Sequence, residues 1–150
     1  MNHSFEQELE RHGSFTFTNV GNSMMPLLRQ NKDLFVIEKK TSARCRRYDV
    51  VLYKRANGQY VLHRILKVRT NDYVLCGDHQ YRRERGVAEV QILGVMTKVI
   101  RNGVTVAVNS TKYQGYVHLW CDLFYLRAAI LWLKTIPWRI RRKRKRRAIR

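Results

Sequence analysis

The chain has 150 residues, 45% of them apolar, a size that suits one compact domain with a short extension and excludes a large multidomain enzyme. Its 30 Lys and Arg against 11 Asp and Glu give a net charge of +19, which repels itself and calls for an anionic partner, nucleic acid or anionic lipid. Cys45, Cys76 and Cys121 are widely spaced with no Cys-x-x-Cys pair, which excludes a disulfide framework and a zinc ribbon and points to a reducing compartment.

Met1 to Gly13 is polar and charged, without the basic start and apolar run of a secretory signal, so a cytoplasmic or membrane-peripheral location is expected. Within it, Ser4 to His12 reads as a short helix, with Ser4 as N-cap and acidic residues in the first turn. The alternation from Ser14 to Thr18 predicts a half-buried strand that leads to Gly21-Asn22-Ser23. Strands follow at Leu34 to Glu38, Val50 to Lys54, Tyr60 to Val68 and Tyr73 to Cys76, separated by turns such as Asn57-Gly58. Tyr81 to Arg85 reads as a solvated loop, and two last strands, Ile92 to Ile100 and Val104 to Val108, flank Asn102-Gly103. Seven short strands with helices only at the ends predict a mainly β fold, a small antiparallel sheet or partly closed barrel over residues 1–115.

From Tyr116 to Trp138 the pattern turns helical, with Leu119, Leu123, Leu126, Ile130 and Leu133 on one stripe that packs against lipid, the domain or a partner. Asp122, Arg127 and Lys134 each oppose insertion by about 2.5–3.5 kcal/mol near mid-helix, so an amphipathic helix lying on a surface is expected rather than a span. Pro137 ends it, and residues 139–150 form a polybasic tail with nine cations suited to anionic headgroups. The 138 residues before that tail still carry 21 basic against 11 acidic groups, or +10. An anionic membrane surface, contacted through residues 116–150, is therefore an expected partner.

The sharpest chemical signal is Gly21-Asn22-Ser23-Met24-Met25-Pro26 directly after a strand, where a tight corner exposes a serine hydroxyl beside backbone N–H groups. Downstream lie Tyr48-Asp49-Val50-Val51, then Val61-Leu62-His63-Arg64, then Cys76-Gly77-Asp78, then Leu93-Gly94-Val95. In this order the motifs resemble those of the type I signal peptidases and the related LexA-like peptidases, in the variant whose base is a histidine followed by arginine. The resemblance covers about residues 15–103. It implies a peptidase domain over residues 1–115, with Ser23 as nucleophile, His63 as general base and either Asp78 or Glu84, six residues on, as the acid that orients the histidine. It further implies an extended leader peptide as substrate, bound as an added strand with small residues before the cut.

The chemistry these positions require is coherent, because a serine hydroxyl needs an adjacent base and an imidazole works best with a carboxylate that fixes its tautomer. Gly21 stands where the family often has a hydroxyl residue, so the oxyanion hole is expected from the N–H groups of Ser23 and Met24 with Asn22 as helper. Met24, Met25 and Pro26 are expected to wall the substrate groove. Cys76 and His79 bracket Asp78 without further ligands at proper spacing, so no metal or cofactor is expected. Two rival readings remain: a basic nucleic-acid-binding protein on a LexA-like scaffold, although no helix-turn-helix precedes Ser23, and a catalytically inactive relative kept as an interaction module.

Overall fold

A computed structural model describes residues 4–133 of the chain; Pro137 and the polybasic tail lie outside the described residues. Helix α1, Phe5–His12, starts at a capping box. Ser4 Oγ accepts from the Gln7 N–H at 3.3 Å, and the Gln7 side chain accepts from the Ser4 N–H at 3.2 Å. It ends at Gly13, whose φ of +70° is a left-handed conformation that glycine adopts without strain.

Eight strands follow: β1 Ser14–Thr18, β2 Leu34–Lys39, β3 Val50–Lys54, β4 Tyr60–Val68, β5 Asp72–Cys76, β6 Glu84–Ala88, β7 Ile92–Arg101 and β8 Val104–Ala107. They form one antiparallel sheet in the order β1-β2-β7-β3-β4-β5-β6, with β8 paired to β7; the sheet does not close into a barrel. Helix α2, Thr111–Asp122, is N-capped by Ser110, turns at Leu123, and is followed by a further helix, α3, at residues 124–133.

The sheet is buried on both sides because it folds round two cores. Along β3, Val50 and Leu52 join Leu9, Met24, Leu28, Ile37 and Met96 in one cluster, while Val51 and Tyr53 join Ile65, Tyr73, Leu75 and Val87 in the other. That is why Val50–Lys54 reads as an unbroken apolar run rather than an alternation. Close packing of β7 on β2 depends on Gly94, where a side chain would run into Ile37 and the backbone of Glu38.

Two expectations are corrected. Residues 84 and 85 belong to β6 rather than to a solvated loop: β6 pairs with β5, Leu75 opposite Glu84, and buries Val87. Arg82, Arg83 and Arg85, together with Gly86 at φ +76°, mask its apolar alternation in the sequence. Second, the C-terminal helix starts at Thr111, ahead of residue 116, because Tyr113, Val117 and Cys121 are its inward face. Of the three surfaces left open for the leucine stripe, lipid, the domain or a partner, the structure removes the domain. Leu119, Leu123, Leu126, Ile130 and Leu133 are 45–67% exposed, while Phe124, Arg127 and Leu131 point inward. Among the described residues, no helix is long and apolar enough to cross a membrane.

Candidate active site

The loop between β1 and β2 is shaped by two buried polar residues. Asn19 donates through Nδ2 to the carbonyls of Gly21 at 2.5 Å and Leu28 at 3.2 Å, closing the corner that carries Ser23. Asp33, fully buried, anchors the far end: it accepts from Arg29 at 2.7 Å and Arg101 at 3.0 Å. Burial alone would raise the Asp33 pKa, but the Arg29 and Arg101 bonds hold it down to about 2.

Ser23 is half-buried, and its carbonyl accepts the His79 N–H at 2.7 Å, which docks the serine corner onto the turn after β5. A Cβ on Gly77 would lie 2.6 Å from that carbonyl oxygen and 3.1 Å from Ser23 Cβ, so the approach requires glycine. The N–H groups of Ser23 and Met24 donate to no group among the described residues, but Met24 is wholly buried, so of the two expected oxyanion donors only half-buried Ser23 borders the groove. Asn22 is exposed beside them.

His63 is 4% exposed on β4, opposite Val51 of β3, which puts it on the same sheet face as Tyr53. Burial pushes its pKa down to about 4, against the partly offsetting attraction of Glu84, so the imidazole is neutral near pH 7. Its Nδ1 lies 3.2 Å from the Tyr53 hydroxyl, and that hydroxyl donates to Glu84 Oε2 at 2.7 Å. A phenol has one proton; with it given to Glu84, the oxygen accepts from Nδ1–H, and the free lone pair is on Nε2. Arg55 clamps both oxygens of Glu84 and, with Tyr53, keeps that carboxyl below its usual range. Burial and the Glu84 charge push the Tyr53 pKa far up, so it stays a phenol.

Asp78 is placed differently. The adjacent residue Arg64 points to the opposite sheet face, and its guanidinium meets Asp78 through two hydrogen bonds at 2.8 and 2.7 Å, with both side chains essentially inaccessible. Tyr116 donates to the same carboxylate at 3.0 Å. Among the described residues Asp78 makes no hydrogen bond to His63; Glu84 reaches the histidine through Tyr53. Of the two acids expected from the sequence, the geometry brings Glu84 to His63 and spends Asp78 on Arg64.

Ser23 and His63 line one groove of about 400 Å³ together with residues 18–21 and 59–62. Two open backbone edges border it. β1 is a terminal strand of the sheet, and residues 60–63 of β4 pair only with β3, because β5 begins its pairing at Arg64. Phe5 of α1 spans the gap, stacked on Phe15 at 5.3 Å and edge-on to Tyr60 at 4.9 Å. Met24, expected in the groove wall and as an oxyanion donor, is instead wholly buried in the core, while Met25 and Pro26 line a separate apolar groove with α2 and α3. The reason is local: the chain after Ser23, where the Met25–Pro26 bond is cis, makes a tight turn, Leu28 N–H bonding the Met24 carbonyl at 2.9 Å, and this turn faces Met24 and its two successors to different sides.

Sequence reading missed Asn19, Tyr53 and Arg55. The signal for Tyr53 was present but needed register: pairing Val51 with His63 makes Tyr53 its diagonal neighbour. Cys45, Cys76 and Cys121 are buried free thiols, and burial raises each pKa to about 11, so they are poor nucleophiles. The described residues contain no cluster of three His, Cys, Asp or Glu side chains suited to a metal ion. Comparison with protein-family models matches none, and a search among curated proteins finds no significant match.

Proposed function

We propose that the protein is a serine endopeptidase similar to the histidine-base signal peptidases, cutting an extended, leader-like peptide. One observation carries this reading: Ser23 and a neutral His63, with Tyr53 and Glu84 behind it, share a groove between two open strand edges. His63 Nε2 takes the Ser23 hydroxyl proton as Oγ attacks the peptide carbonyl, and the Ser23 N–H receives the oxyanion. The tetrahedral intermediate collapses to an ester on Ser23 while His63 returns the proton to the departing amine. Water, activated by the same nitrogen, then hydrolyses the ester.

The peptide would pair with an open edge as an added strand, its backbone supplying affinity and its alternate side chains specificity. Phe15, Phe17, Phe35 and Tyr60 line the groove, which favours an apolar side chain near the cut over the small residues the resemblance implies. The test is mass-spectrometric detection of cleavage in a diverse peptide library by wild type, Ser23→Ala and His63→Ala. The proposal expects shared cut sites that vanish in both variants; cuts that persist in Ser23→Ala would overturn it.

A further inference from the structure

Helix α3 is built inside out. From residue 123 to residue 133 the exposed side chains, among them Leu123, Tyr125, Leu126, Ile130 and Leu133, are all apolar. The one charged residue in that stretch, Arg127, is 4% exposed and turned inward, its guanidinium 4.8 Å over the Phe124 ring and 3.3 Å from the Gln80 carbonyl. A helix in contact only with water would reverse this, so the outer face awaits an apolar cover. On one flank this face runs into a groove of about 370 Å³, with Leu119, Leu123 and Ile130 facing Met25, Pro26 and His79. On the other flank is a cleft of about 700 Å³ whose charged lining is Arg47, Lys67, Arg69, Arg83 and Arg85 against the single carboxylate of Asp122, 3.9 Å from Arg47. Arg83 ties α3 to this cleft, its guanidinium 4.2 Å over Phe124.

Charge decides what the cover is. A second copy of a +19 chain would bring two strongly basic surfaces together, and a nucleic acid would neutralise the cleft but leave the leucines in water. We infer that this face docks on an anionic bilayer, the α3 leucines entering the headgroup boundary and the Arg47-Lys67-Arg69-Arg83-Arg85 cleft holding lipid phosphates. Because Met25 and Pro26 stand two and three residues after Ser23, docking sets the serine corner close to the lipid surface, where the proposed peptidase would meet membrane-emergent peptides; that consequence alone rests on the peptidase reading.

Flotation of the full chain with phosphatidylcholine vesicles, with and without phosphatidylglycerol, tests the inference. Two surface double variants are compared: Leu126→Glu with Ile130→Glu, and Arg83→Glu with Arg85→Glu. The expected result is binding that requires phosphatidylglycerol, falls about tenfold or more in each variant and is retained by Ser23→Ala, so that lipid docking and peptidase activity stand or fall separately. Wild-type flotation by both variants would overturn it, since the tail alone would then suffice. Equally contrary would be a self-association or RNA binding that both variants abolish while no vesicle is bound.

Discussion

At the residue scale the two acids separate by what they neutralise. Asp78 faces a buried guanidinium, so Asp78→Asn strands the Arg64 charge in the core and lowers unfolding stability by about 3–5 kcal/mol in denaturant titration. Glu84 is part-exposed, so Glu84→Gln leaves a folded protein but weakens the bond that fixes the His63 tautomer. Peptide cleavage should drop on the order of 10³-fold with far less loss of stability. If Glu84→Gln cleaves as wild type, His63 is oriented by another group. His63 itself makes a pH prediction. Its folded pKa of about 4 lies below the unfolded 6.5, so as pH falls through that window the unfolded state binds the proton first and stability declines. The full loss is on the order of 3 kcal/mol. Asp33 and Glu6, each held down to about 2, lose their contribution only below the ordinary carboxylate range, whereas Asp49, whose carboxyl is raised by burial, gains stability as pH falls, so the histidine is read from the difference between wild type and a variant. Thermal unfolding at several pH values should show His63→Gln losing less stability than wild type between about pH 6.5 and 4; equal losses would contradict this.

At the element scale, the site depends on where pairing stops. β4 is nine residues long, but its first half leaves one edge open, and the turn after β5 holds the serine corner against it. Gly77→Ala tests that contact: its methyl would collide with the Ser23 carbonyl, so cleavage should fall at least tenfold while the far side of the sheet, read by amide hydrogen exchange, stays protected. Undiminished cleavage would mean the corner is not held there. Most of this architecture is legible in the sequence. Seven of the eight strands announce themselves by β-branched runs and Asn-Gly turns, and Ser23, His63 and Glu84 by motif order. The eighth is not, because β6 follows two arginines, holds Arg85 and Gly86 itself and buries a single valine. The choice between Asp78 and Glu84 is not legible either: it turns on adjacent residues of β4 facing opposite sides, which spacing cannot show until register is known. The inversion of α3 is hidden for the same reason, since the stripe at 4-3-4-3 spacing gives a face but not its direction.

At the scale of the whole molecule, the positive charge and the groove are separate devices. The cations gather around the β4-β5 cleft and in the terminal sequence, whereas the Ser23 groove carries a polar rim and an aromatic floor. Raising ionic strength should therefore weaken any association with anionic vesicles steeply while leaving cleavage of a neutral soluble peptide nearly unchanged, a contrast measurable by flotation and peptide turnover in the same salt series. Parallel loss of both would place the cations in the peptide groove itself. The central claim is that Ser23 becomes an ester during turnover, and acid-quenched digestion of the protein with a cleaved peptide measures this directly. The account predicts the N-terminal half of that peptide attached to the His12–Arg29 tryptic fragment, which contains Ser23. An unmodified fragment, together with undiminished cleavage by Ser23→Ala, would contradict it.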